Sequence, residues 1–138
     1  MNFQDFIKQG KVVIGEKDTQ KAKALVKMSE NNLLVSNSVE LSESSASTVF
    51  SILYESLREL IEAICLLEGY KVYSHEAFTA YLENIGEESI AAKFDRYRKL
   101  RNGINYYGKP VSINVTLEAK KEIAKLSKTL RTKYLACF

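Results

Sequence analysis

The sequence predicts an all-α protein, an up-and-down bundle of four main helices with short extras, and three observations carry that prediction. Only one proline and six glycines occur in 138 residues, whereas a strand-rich fold needs a turn signal about every 8–12 residues. Apolar side chains recur at three- and four-residue steps over long stretches, the period of one helix face. The composition, 46% hydrophobic and 27% charged, is that of one globular domain over residues 1–138, with enough chain to bury a core without disulfide or metal staples.

Phe3, Phe6 and Ile7 suggest a short opening helix that stops near Gly10. Lys11-Val12-Val13-Ile14 is β-branched and suited to extended backbone, but one such run makes no sheet. Asp18 reads as the N-cap of a helix that carries Ala22, Leu25, Val26, Ser29 and Leu33 on one side. Ser42-Glu43-Ser44-Ser45 is a connection and cap rather than a linker between domains. The strongest helix runs from about Ser44 to Glu68, with Val49, Leu53, Leu57, Leu60, Ile61, Ile64 and Leu67 on its stripe and Phe50 and Tyr54 broadening it. Gly69 sits where a C′ glycine would. Tyr73-Ser74-His75-Glu76 then reads as a loop ending in an N-cap serine, before a short helix through Ala77, Phe78, Tyr81 and Leu82. Gly86 separates it from a helix that starts near Glu87-Glu88, whose acids suit a helix N-terminus. Pro110 marks another break, and a last helix spans roughly Thr116 to Tyr134, burying Ala119, Ile123, Leu126 and Leu130.

Counting disposes of several chemistries. Twenty Lys+Arg against 17 Asp+Glu leave a net charge of +3, too small an excess to indicate nucleic-acid binding unless it is clustered. Two cysteines, Cys65 and Cys137, and one histidine, His75, fall short of the four ligands of a structural zinc site, and no metal or cofactor is expected. Cys65 lies in the apolar run Ala63–Leu67 and reads as a buried, inert thiol. The glycines at 10, 15, 69, 86, 103 and 108 are too scattered for a phosphate loop. Glu87-Glu88 and the pair Glu118/Glu122 read as solvated helix faces. No run approaches the roughly 18 apolar residues a membrane span requires, and Met1–Asp5 lacks the start of a signal peptide, so a cytoplasmic protein that does not enter the membrane is the expectation.

The informative stretch is Phe94–Pro110, which holds five basic residues between Arg96 and Lys109 and three tyrosines. At about 100° per residue, Ile90, Phe94, Tyr97, Leu100 and Ile104 form one apolar stripe, and Arg101 falls inside it. A guanidinium aimed at a core or a subunit seam must be paired or line a wet cleft, because an unpaired buried charge costs several kcal/mol. Arg101 therefore has three readings at this point. It pairs with Glu55, Glu59 or Glu62 for stability alone; or Asn102-Gly103 is a turn that ends the helix at Arg101; or Arg101 serves function. Arg96, Arg98 and Lys99 lie toward the flanks, where a charge run is usually a solvated face.

Arg101-Asn102, followed by Tyr106 near the end of a penultimate helix in a small all-α chain, resembles the HEPN (higher eukaryotes and prokaryotes nucleotide-binding) family. That family's signature is an Arg, often followed by Asn, with a His a little over one helical turn beyond. The resemblance spans the bundle from about residue 18 to 130 and includes Leu66-Leu67-Glu68-Gly69 and the Ser74-His75 loop. It implies a bundle of four or five helices that commonly forms a homodimer, bringing two motifs into one cleft. Many members are metal-independent ribonucleases, often toxins paired with a small nucleotidyltransferase. The Arg would stabilise phosphate charge and the His would act as acid and base on the 2′-hydroxyl, a division suited to a guanidinium fork and an imidazole.

This chain departs where the proton must move, since Tyr106 stands in the place of the His. A phenol with a pKa near about 10 is a poor general base at neutral pH, and neither Asn105 nor Tyr107 repairs the loss. His75, the single imidazole, reads as an exposed or helix-N-terminal side chain, and serves the site only if its loop folds over it. The function that follows is RNA or nucleotide binding with weak or lost ribonuclease activity. Arg101, Asn102 and Tyr106 would form the degenerate motif, and Arg98, Lys99, Tyr107 and Lys109 would add attraction and stacking. The alternative is a non-catalytic dimeric module that holds a nucleotidyltransferase-like partner. A third reading keeps metal-independent ribonuclease chemistry with Tyr106 replacing the His.

Overall fold

Four long amphipathic stripes close on one another, and the short elements cover one end. The computed structural model describes residues 1–138. In chain order it consists of α1 (Phe3–Lys8), β1 (Val12–Ile14), α2 (Thr19–Ser38), α3 (Ala46–Leu67), β2 (Tyr70–Val72), α4 (His75–Asn84), α5 (Glu88–Tyr107) and α6 (Ile113–Tyr134). The fold is all-α as the periodicity predicts, with four helices of 20 to 22 residues and two short ones.

Helix α3 is the spine, because its apolar face is the broadest. Val49, Phe50, Leu53, Tyr54, Leu57, Leu60, Ile61, Ile64 and Cys65 are all buried, and α2, α4, α5 and α6 pack around it. Each large apolar side chain so buried contributes about 1.5–3 kcal/mol. Lys93 pairs with Glu122, and Arg96 with Glu118, so the numbers rise along α5 as they fall along α6 and the two run antiparallel. Thr116 bonds the carbonyl of Ala46 at one end, and Leu67 and Tyr134 line one cleft at the other, so α3 and α6 run the same way. Arg131 on α6 reaches Glu30 on α2 and closes the ring. No helix is long and apolar enough to cross a membrane.

Local chemistry sets the ends. Asn2 and Asp5 form a reciprocal capping box at α1, Asp18 accepts from the Lys21 N–H at 3.0 Å, and Ser112 accepts from the Val115 N–H at 3.1 Å. Ser74 holds the N-cap position of α4 as expected, although its side chain makes no capping bond. The last helix begins three residues before the expected Thr116, because Ser112, two residues after Pro110, caps it. Gly108, at φ 60°, takes the left-handed conformation that ends α5.

Two expectations are corrected. Val12–Ile14 does find a partner: it pairs antiparallel with Tyr70–Val72, Val12 opposite Val72. The turn after α3 makes the pairing possible. Gly69, at φ +85°, would place a Cβ 2.6 Å from the Gly15 carbonyl oxygen, and its own carbonyl accepts from the Gly15 N–H at 2.7 Å. Only glycine fits there. The second correction concerns Asn102-Gly103, which is not a turn: α5 continues through both to Tyr107. Leu100 and Ile104 on either side pack against the core, which outweighs the poor propensity of the pair.

A Cβ on Gly103 would meet the Lys109 Cβ at 3.7 Å, an ordinary contact. Gly103→Ala is therefore expected to raise the unfolding free energy by about 0.5–1 kcal/mol, the gain of alanine over glycine inside a helix. Urea titration followed by circular dichroism reads this directly, and a loss of stability would show that the end of α5 needs the glycine.

Candidate functional site

The acids offered to Arg101 by the sequence are engaged elsewhere. Arg58 holds both Glu55, at 2.9 Å, and Glu62, at 3.1 Å, along α3. Glu59, only 2% exposed, accepts from the Asn32 amide at 2.7 Å, and burial raises its carboxyl above the ordinary range. The pairing of Arg101 with a core acid is thus corrected. Arg101 instead meets His75, with Nη2 to Nδ1 at 2.5 Å, and lies over the Tyr54 ring, Cζ to centroid 5.0 Å.

Three elements bring these groups together. Tyr54 comes from the buried stripe of α3, stacked on Phe94 at 5.4 Å, and its hydroxyl is 2.9 Å from the same Nδ1 of His75. His75 is the first residue of α4, half-buried rather than exposed, with its ring 5.9 Å from Phe78. It folds over Arg101 from within the same chain, because α4 and α5 pack as neighbours. The reading of His75 as a helix-N-terminal residue holds, and its exposure does not.

The contact fixes a proton. A guanidinium only donates, so Nδ1 of His75 must accept, which leaves the ring neutral with its proton on Nε2. The electrostatics agree: burial first, then the charges of Arg101, Arg58 and Arg98, push His75 down to about 4, with Glu55 opposing. Burial lifts the Tyr54 phenol to about 12, so it stays protonated. Arg101 Nε is buried with no hydrogen-bond partner. A charged fork that keeps a donor unused in a partly buried position is uncommon, because such groups are normally satisfied.

The other expected site residues divide into two groups. Arg98 and Lys99 both bind Asp95, at 2.8 and 3.0 Å, and Thr79 donates to the same carboxylate. Their charges are partly compensated. Tyr106 and Tyr107 are 70% and 73% exposed at the end of α5, and Lys109 is exposed just beyond. Asn102 is half-buried next to Arg101 in sequence. A surface depression of about 580 Å³ is lined by Glu43 and Pro110–Asn114 and includes neither Arg101 nor His75.

Tyr54 and its link to His75 were not foreseen. The signal available was a phenol in an otherwise apolar helix stripe, since a buried tyrosine hydroxyl usually finds a partner. No protein-family model, curated protein or solved structure matches the chain.

Proposed function

We propose that this protein binds RNA or a nucleotide through phosphate contacts made by Arg101, as the HEPN-like motif implies, with ribonuclease activity weak or lost. The observation that carries the reading is the unneutralised Arg101 fork. It sits against a neutral imidazole, has no carboxylate partner and retains an unbonded Nε. Such a fork is suited to a phosphate oxyanion, which can take two parallel N–H bonds from it. Tyr106, Tyr107 and Lys109 give the exposed flank on which bases could stack and a backbone could run.

Fluorescence anisotropy with a labelled single-stranded RNA tests this. Affinity is expected to fall as salt rises, with a slope of about 0.7 per phosphate contacted, and Arg101→Ala is expected to weaken binding at least about tenfold. Binding that ignores both salt and Arg101 would remove the proposal. Incubating the same RNA with metal-free protein, His75→Ala and Arg101→Ala reads any residual cleavage. Tyr106 is a weak candidate for proton transfer, being exposed at the end of α5, whereas His75 already touches Arg101.

The reading as a dimeric module that holds a nucleotidyltransferase-like partner draws on a different observation. Met28, Leu34 and Val35 stand exposed on α2, the helix packed chiefly against α3. Sedimentation of the parent and of Met28→Lys separates it: a dimer lost in the variant supports it, and a monomeric parent removes the homodimer.

A further inference from the structure

We propose that Arg101 and His75 form a proton-linked latch: a phosphate oxyanion draws the Arg101 fork off Nδ1, His75 takes up a proton there, and the site binds its anion together with that proton. The inference rests on the phosphate-binding reading of Arg101 and adds how that site is regulated. The geometry carries it. Nδ1 of His75 has one in-plane lone pair, and two donors converge on it: Arg101 Nη2 at 2.5 Å and the Tyr54 hydroxyl at 2.9 Å. A proton on Nδ1 would face a guanidinium N–H head-on, donor against donor and charge against charge. Protonation of His75 and its bond to Arg101 therefore exclude each other.

The surroundings decide which state is stable. From α3, Tyr54 bonds the ring and the charges of Glu55 and Arg58 act on it; from α5, Arg101 bonds it and the charge of Arg98 acts on it; on its own helix Glu76 follows it and Phe78 packs against it. Elements α1 and β2 pack farther along α4, where Phe3 and Tyr70 meet Tyr81. Glu55 and Glu62 compensate Arg58, and Asp95 compensates Arg98, so Arg101 is the cation that nothing balances. Without an anion, burial first and then that excess keep His75 neutral well below its ordinary value. A bound oxyanion reverses the local charge and occupies the fork. The Nδ1 lone pair is then released, and Tyr54, which can accept as readily as donate, turns to take the new N–H.

The sign follows from linkage. The bound state holds its proton to a higher pH than the free state, so between those two midpoints affinity strengthens up to about tenfold for each pH unit of acidification. The proton comes from solvent: an Nδ1–H bond forms as a hydronium O–H breaks and releases water, and no other covalent bond changes.

His75 is the only histidine, so one imidazole resonance reports the site without assignment. The intact protein would be titrated by proton NMR between about pH 5 and 8, spanning the ordinary histidine range. It would be run alone and with sulfate, adenosine 5′-monophosphate or a 2′-O-methyl hexaribonucleotide that cannot be cleaved. Alone, the resonance is expected to stay flat; with a bound probe it is expected to titrate inside that range. The probe that brings the midpoint in at the lowest concentration identifies the source of phosphate, and either a mononucleotide or an RNA backbone supports the latch. Isothermal titration on the same samples measures affinity independently. His75→Gln, whose amide oxygen can still accept from Arg101, is expected to bind sulfate and the hexaribonucleotide, whose backbone charge is constant over this range, with no pH dependence; adenosine 5′-monophosphate keeps only the dependence of its own second ionisation at about pH 6. Arg101-dependent binding with a flat His75 resonance would overturn the latch and leave the phosphate reading standing. Absence of binding to all three probes would overturn the phosphate reading and the latch with it.

Discussion

Phe94→Ala is expected to lower the unfolding free energy by about 3–5 kcal/mol, the usual range for a buried phenylalanine cut to its Cβ. Phe94 is 0% exposed and joins three helices. From α5 it stacks on Tyr54 of α3 at 5.4 Å and meets Phe78 of α4 edge-on at 6.3 Å. Removing the ring opens a cavity that neither neighbour can fill without leaving its own partner, since Tyr54 is held by His75 and Phe78 packs against His75. A domain of ordinary stability has about 5–15 kcal/mol in total, so the variant loses a large share of it. Phe94→Leu keeps most of the volume and is expected to cost less than about 1.5 kcal/mol. Urea unfolding of the two variants checks the pair, and a loss below about 1 kcal/mol in Phe94→Ala would show that the ring is not the junction described. The folded fraction of Phe94→Ala has a second readout. With its support gone, Tyr54 is free to tilt, and the His75 resonance should broaden or move through its bond to Tyr54.

The same layer explains which parts of the molecule could be seen in the sequence. The stripes of α3 and α5 were legible because burial imposes a 3.6-residue period, and Val49–Leu67 and Ile90–Ile104 obey it. Gly69 and Pro110 marked real ends because their backbones leave little choice. The strand pairing was not legible. Each strand is three residues long, and Val12 and Val72 are brought together by helices in between rather than by a turn with its own signal. Asn102-Gly103 misled for the opposite reason: a strong local turn preference was overridden by packing on both sides.

The site shows the same division. The position of Arg101 within an apolar stripe was readable, and so was the need for something to accompany it. What accompanies it was not, because His75 lies 26 residues away and reaches Arg101 only through the packing of α4 on α5. The acids that looked available, Glu55, Glu59 and Glu62, lie on α3 but are taken by Arg58 and Asn32. Spacing along one helix shows which face a side chain shares, and it does not show which of several partners will claim it.

Replacing Arg101 by methionine separates a functional arginine from a structural one. Methionine keeps much of the length and flexibility of the side chain while removing the charge and every donor. If Arg101 were a strut, its loss would cost about 1–3 kcal/mol, as the breaking of a partly buried hydrogen-bonded pair does. The structure points the other way. Arg101 has no acid to leave unpaired, its Nε is already without a partner, and its charge works against protonation of His75. Arg101→Met is therefore expected to hold stability or raise it by about 0.5–2 kcal/mol, the usual size of a stabilising substitution, and, on the proposed phosphate-binding role, to weaken RNA binding at least about tenfold. The pH profile adds an independent sign. In the parent, His75 is held below its unfolded value of 6.5, down to about 4, so stability is present above 6.5 and is lost as pH falls through that window. Without the Arg101 charge the ring moves back toward its ordinary value, and the acid-side loss should shrink. Thermal melts of parent and variant at about pH 5 and 7, set beside the anisotropy titration, measure all three effects. A variant that melts lower at both pH values, with RNA binding intact, would make Arg101 a structural residue after all.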